Sequence, residues 1–154
     1  VIIMKADPVA QVCIHEAGHA VMMRMCGMQI KHVKVNRKNA EKQRGCQGLC
    51  TPVAGMTDAI KLAKVVVAGA VAESIAFGGC PVRRLNKLSD ADDLEVLMVG
   101  SDVNVSYRAK EKRRIVNMVT KSLKKHMDHV QAVANELNSK EKIDGKVVNE
   151  IMKR

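Results

Sequence analysis

The chain has 154 residues, with 26 Lys and Arg against 16 Asp and Glu for a formal charge of +10, and 47% of it is apolar although Phe77 and Tyr107 are the only aromatic residues. That length suits one domain spanning 1–154, with a core of Val, Ile, Leu, Met and Ala, a composition that favours packed helices over a sandwich. No run of about 18 to 20 apolar residues occurs and the first residues lack a signal-peptide layout, so no membrane insertion and a cytoplasmic location are expected.

Asp7-Pro8, a capping acid followed by proline at the first helical position, announces a helix that stops near Gly27. Apolar residues then alternate over 30–37, a second extended stretch covers 48–53, and the polar residues 39–45 lie between them, which predicts a small β-hairpin or ribbon. Thr57 or Asp58 opens a second helix, buried nearly all round, that Gly78-Gly79 closes. After a loop with Pro81 and two arginines, Ser89 and Asp92 read as a capping box at the head of a third helix ending by Gly100. From about Val105, the steps Ile115, Val119, Leu123, Met127, Val130, Ala134 and Leu137 describe one long amphipathic helix, and 144–152 form a short terminal one. The fold expected is a single mainly α domain with a small hairpin beside the first helix.

Basic residues over 108–125 alternate with apolar ones at helical spacing, the pattern of a solvated helix face. A basic nucleic-acid-associated regulator is the lesser reading of that stripe, and the lack of stacking aromatics counts against it. The five cysteines are odd in number and irregularly spaced, so reduced thiols are expected; Cys46 and Cys50 do not have the spacing of a zinc knuckle.

The first helix carries His15-Glu16-Ala17-Gly18-His19, an H-E-x-x-H motif. Residues four apart project from one helix face, so two imidazoles reach one ion, whereas Glu16 is rotated about 100° away and suits contact with a water. Zinc lowers the pKa of a bound water and polarises a carbonyl, and a carboxylate base such as Glu16 takes the proton and returns it to the leaving amine. Three fixed positions in five do recur by chance. Here, however, the neighbours Val12, Ile14, Ala17, Ala20 and Val21 are apolar, and buried ionisable groups are costly unless paired or metal-bound. Gly18 weakens the helix and implies that something approaches its backbone closely there.

A catalytic zinc takes three protein ligands. Met22 and Met25 stand where the metzincin extension needs Gly and His, which leaves Glu41, Glu73, Asp90, Asp92, Asp93, Glu95, His32 and the cysteines. Asp90 and Asp92 have a bland explanation as acids in a first turn that complement the helix dipole. Asp93 stands one turn before Val96 and Leu97 on an apolar stripe and is the favoured ligand; Glu73, in the apolar run 65–77, is the rival and is read as the group that orients a histidine.

The helix around HEAGHAV, the segment 70–78 (AVAESIAFG), the helix start Ala91-Asp92-Asp93-Leu94 and the tail 143–148 (IDGKVV) resemble, in order, the peptidase domain of the FtsH-type AAA proteases. The resemblance covers most of the chain and implies a helical zinc metallopeptidase domain, one zinc per chain, whose third ligand on a later helix is Asp93. It also implies a cleft bordered by an extended strand, here His32, Val33, Lys34 and Val35, onto which an unfolded or small polypeptide substrate adds as a β-strand. The family's ATPase and membrane helices have no counterpart in these residues, where no G-x-x-x-x-G-K-[ST] loop occurs. Two expectations follow: on one side a piece of a longer parent chain, or a chain served by an ATPase in trans, and on the other a stand-alone relative acting on small or already unfolded polypeptides. The family's homo-oligomeric ring is an open question for both. The reading is a zinc metalloendopeptidase acting through Glu16, with a catalytically silent zinc- and polypeptide-binding pseudo-peptidase as its alternative.

Overall fold

A computed structural model describes residues 7–38, 48–52 and 58–154 of the protein. Helix α1 (Pro8–Met25) begins where Asp7 accepts a hydrogen bond from the Ala10 amide at 2.9 Å and ends before Gly27, whose φ of +79° suits glycine. Every side chain from Gln11 to Gly18 is buried, so α1 is the central rod of the domain and shows no single apolar face.

Strand β1 (Ile30–Val35) pairs antiparallel with β2 (Gly48–Pro52) on one side and with β3 (Lys142–Asp144) on the other. Val33 thus lies between Cys50 and Ile143. The mainly helical fold with a small antiparallel sheet is as the sequence predicts, but the third strand is an addition to the expected hairpin. Val53 and Thr57 lie outside the described residues, as do Glu41 and Cys46.

Helix α2 (Ala59–Phe77) is capped by Asp58, which accepts from the amides of Ile60 and Lys61, and it crosses α1 very closely. A Cβ on Gly18 would fall 2.6 Å from Ala72 Cβ and 2.7 Å from the Ala68 carbonyl oxygen, which is the close approach that Gly18 implies. The stretch expected to be a loop contains helix α3 (Pro81–Asn86), started by Pro81 at its first position. Helix α4 (Asp90–Gly100) follows without the expected capping box: Ser89 already has helical backbone angles, and its side chain makes no capping hydrogen bond.

The long helix breaks at Lys125 and His126 into α5 (Val105–Lys124) and α6 (Met127–Lys140). No proline or glycine marks the break, and the apolar step from Leu123 through Met127 to Val130 runs straight across it. The two halves pack against different partners, α5 on α2 and α6 on α1. Asp144 then caps α7 (Gly145–Met152), and a Cβ on Gly145 would sit 1.8 Å from the Ile30 carbonyl oxygen, so glycine is obligatory where β3 passes into this helix. Among the described residues no helix is long and apolar enough to cross a membrane.

Candidate metal centre

His15 and His19 project from one face of α1 towards α2 and the start of α4. Their Nε2 atoms lie 3.0 Å apart, and Asp90 Oδ2 lies 3.0 Å from His15 Nε2 and 3.4 Å from His19 Nε2. Around a tetrahedral zinc with bonds of about 2.0–2.2 Å, ligand atoms stand about 3.3–3.6 Å apart. The three atoms are therefore near metal-ligand spacing before any adjustment, and they form a group that could hold a metal ion.

The outer nitrogens fix the tautomers. His19 Nδ1 is 2.7 Å from the Val65 carbonyl oxygen, which can only accept, so this nitrogen carries a hydrogen. His15 Nδ1 is 2.6 Å from Glu73 Oε1, while Arg84 Nη1 donates to Glu73 Oε2 at 3.0 Å. Glu73 thus accepts from Arg84 on one oxygen and turns the other to His15, and His15 Nδ1 donates to it as well. In their neutral forms both rings then aim an Nε2 lone pair at the same point, where the buried Asp90 Oδ2 also arrives, an oxygen that receives a hydrogen bond there only when an imidazole carries a second proton. Three acceptors facing one another require a cation.

The electrostatics show the same demand. Burial disfavours a charged His15, yet hydrogen bonds to Asp90 and Glu73 outweigh it and push the pKa up to about 10. Burial would raise Asp90, but the hydrogen bonds from His15 and His19 hold its carboxyl well below the usual range. Either a proton or a metal ion fills the role, and an imidazole, imidazole and carboxylate set with both imidazoles oriented from behind is a donor set that zinc accepts.

Glu16 is 5% exposed and makes no hydrogen bond or ion pair among the described residues. Burial pushes its carboxyl pKa up, opposed by the charges of His19 and His15. A buried, unengaged carboxyl beside the two histidines is suited to exchange a proton with something that enters the centre.

The structure places His15, Glu16, His19 and Glu73 close together, and the carboxylate that completes the group able to hold a metal ion is not the expected Asp93. Asp93 is exposed and outside the group; Asp90 takes its place. The apolar stripe of α4 runs through Leu94 and Met98, and one turn back along it stands Asp90. Val96, on which the stripe expected for Asp93 depends, is 70% exposed. Because Ser89 already continues the turn from α3, Asp90 is free of capping duty and its side chain reaches the histidines.

The strand His32, Val33, Lys34 and Val35 is also corrected as a docking edge for substrate. His32, Val33 and Lys34 pair with β2 on one side and β3 on the other, and the Val35 amide donates to the Glu141 carbonyl at 2.8 Å. Val33 and Val35 are core residues. No edge of this strand is left for an incoming peptide.

Three contributors were not read from the sequence. Gly69 gives the His15 ring its place: a Cβ there would lie 2.5–2.7 Å from three ring atoms. Val65 holds His19 through its carbonyl, and Arg84 holds Glu73. A glycine within the apolar run of α2, four residues before Glu73, is the signal that could have located the first. Cys13, Cys26 and Cys80 are free thiols away from the group.

Fold and site together define a mainly helical protein with a His, His and Asp group able to hold a metal ion. No protein-family model matches the chain, and no curated protein matches it.

Proposed function

We propose that the protein is a zinc-dependent metallopeptidase, a reading supported above all by the convergence of His15 Nε2, His19 Nε2 and Asp90 Oδ2 beside the unengaged, buried Glu16. Its resemblance to the FtsH-type peptidase domain around HEAGHAV supports the same reading, with the carboxylate ligand at 90 in place of 93. When bound, zinc would supply Lewis acidity towards a scissile carbonyl and make water a competent nucleophile near neutral pH.

His15, His19 and Asp90 would hold the ion, Glu73 and Val65 fix the two imidazoles, and Gly69 leaves the His15 ring room. Glu16 removes the proton of the attacking water and delivers it to the departing amine nitrogen. Its raised pKa serves both halves of that exchange, since a carboxyl that is neither a strong acid nor engaged elsewhere can be reprotonated within the cycle. With β1 closed on both edges, a polypeptide approaches the centre by another route and must already be unfolded or short.

The test is metal analysis combined with digestion of casein by the wild type and by Glu16→Gln. The expected result is one zinc per chain in both proteins, with cleavage by the wild type and a loss of at least 100-fold in the variant. Equal cleavage by both would remove Glu16 from the mechanism. Stoichiometric zinc without cleavage by the wild type would leave the catalytically silent alternative.

A further inference from the structure

Behind the metal centre lies a cavity of about 480 Å³, with Gln11 and Glu73 on its inner wall and Arg83, Arg84, Lys87 and Leu88 around the rest. Its position follows from the hydrogen bonds already described. His15 points Nε2 towards Asp90 and Nδ1 towards Glu73, and the far oxygen of Glu73 is held by Arg84. The cavity therefore adjoins the Glu73 and Arg84 pair that stands behind His15, and none of its lining residues belongs to the His15, His19 and Asp90 group.

Its charge is unbalanced. Three cations, Arg83, Arg84 and Lys87, surround it against the single carboxylate of Glu73, leaving two positive charges. Glu73 is engaged on both oxygens. Arg84 uses Nη1 on Glu73 and Nη2 on the Gly78 carbonyl at 2.8 Å, and its buried Nε–H has no acceptor among the described residues. Arg83 and Lys87 are exposed, spaced four apart around the end of α3, and enter no ion pair among the described residues.

We infer that this cavity is a binding site for a phosphate-type dianion, either free phosphate or the phosphoryl group of a small phosphomonoester. Two uncompensated positive charges match the charge of about −1.5 to −2 on such a group at neutral pH. Arginine forks and a lysine are the side chains that hold phosphoryl oxygens. The volume exceeds that of a bare ion and falls within the range of small-molecule sites, about 300–1,000 Å³, with Leu88 as an apolar wall for an organic portion. The inference is independent of the peptidase reading, because none of the residues lining the cavity is a member of the His15, His19 and Asp90 group.

The experiment is thermal unfolding of the full chain in sodium phosphate and in glycerol 3-phosphate, against sodium chloride of equal ionic strength. At tenfold excess over Kd, a site of this kind raises the midpoint by about 3–6 °C, saturably. Arg83→Gln with Lys87→Gln should abolish the rise while leaving the midpoint in chloride and the zinc content unchanged. Lys124→Gln with Lys125→Gln, which removes two exposed cations elsewhere, should leave the rise intact. Equal saturation by both anions identifies the free ion as the occupant; binding of glycerol 3-phosphate at least tenfold tighter identifies a phosphomonoester. A rise no larger than in chloride, or one that survives Arg83→Gln with Lys87→Gln, overturns the inference.

Discussion

Glu73→Gln tests the metal centre from behind without touching a ligand. The substitution keeps the volume of the side chain but removes the charge that receives His15 Nδ1–H at 2.6 Å and Arg84 at 3.0 Å. If the amide oxygen stays on His15, its NH2 group opposes the Arg84 guanidinium, donor against donor. If the amide flips, NH2 faces His15 Nδ1 and favours the tautomer with hydrogen on Nε2, which cannot bind a metal. His15 and the side chain at 73 are almost fully buried, so water cannot repair the mismatch at the imidazole. Exchanging a charge-assisted hydrogen bond for a neutral or mismatched one costs about 1.5–3 kcal/mol, or about 10–100-fold in zinc affinity. Competition with a fluorescent zinc chelator at pH 7.5 measures it, with circular dichroism to establish that the variant is folded. A folded Glu73→Gln protein that binds zinc within twofold of the wild type would refute the role given to the Arg84, Glu73 and His15 chain.

Asp90→Asn should weaken zinc binding by more than about 100-fold, the scale of breaking a buried charged contact, while Asp93→Asn should stay within about twofold, as at an exposed position; the same chelator assay compares them. Gly69→Ala drives a methyl into the His15 ring and Gly18→Ala one into Ala68 and Ala72, so each should lower stability in urea by about 1–3 kcal/mol, and Gly69→Ala should lower zinc affinity as well. For the metal-free protein, a His15 pKa raised from 6.5 to about 10 on folding means stabilisation that is complete below 6.5 and lost as pH climbs towards 10. Denaturation of metal-free protein across that window should show the decline. Zinc must displace the same proton, so calorimetry at pH 8 in two buffers of different ionisation enthalpy should record release of about one proton per zinc bound.

The sequence made the first helix and its motif legible because cap, proline, apolar surround and histidine spacing all agree. Glu73 was legible because a carboxylate in an apolar run demands a partner. Asp90 was missed for a physical reason: acids in a first turn have an adequate explanation in the helix dipole, and that explanation concealed the step of four from Asp90 to Leu94 and Met98. The closed state of β1 depends on Lys142–Asp144, a strand too short to show a period and remote in sequence. The break at His126 lies where the apolar spacing is continuous, so only the choice of packing partners for α5 and α6 reveals it. Arg84 sits in a short helix begun by Pro81 and read as loop, which hid a side chain that reaches back to Glu73.

The supports of the two histidines have a common source in α2: the Val65 carbonyl, the bare surface of Gly69 and the Glu73 carboxylate stand at intervals of four residues. The helix thus acts as a ruler whose graduations must all coincide with α1. Deleting or inserting one residue between 65 and 73 would turn one end by about 100° and shift it by about 1.5 Å relative to the other, so that His15 and His19 could not both be supported. Changes of length in this stretch should therefore be far more damaging than changes of side chain at its half-buried positions, and a library of single-residue deletions through α2 would show the metal centre as a sharp interval of intolerance.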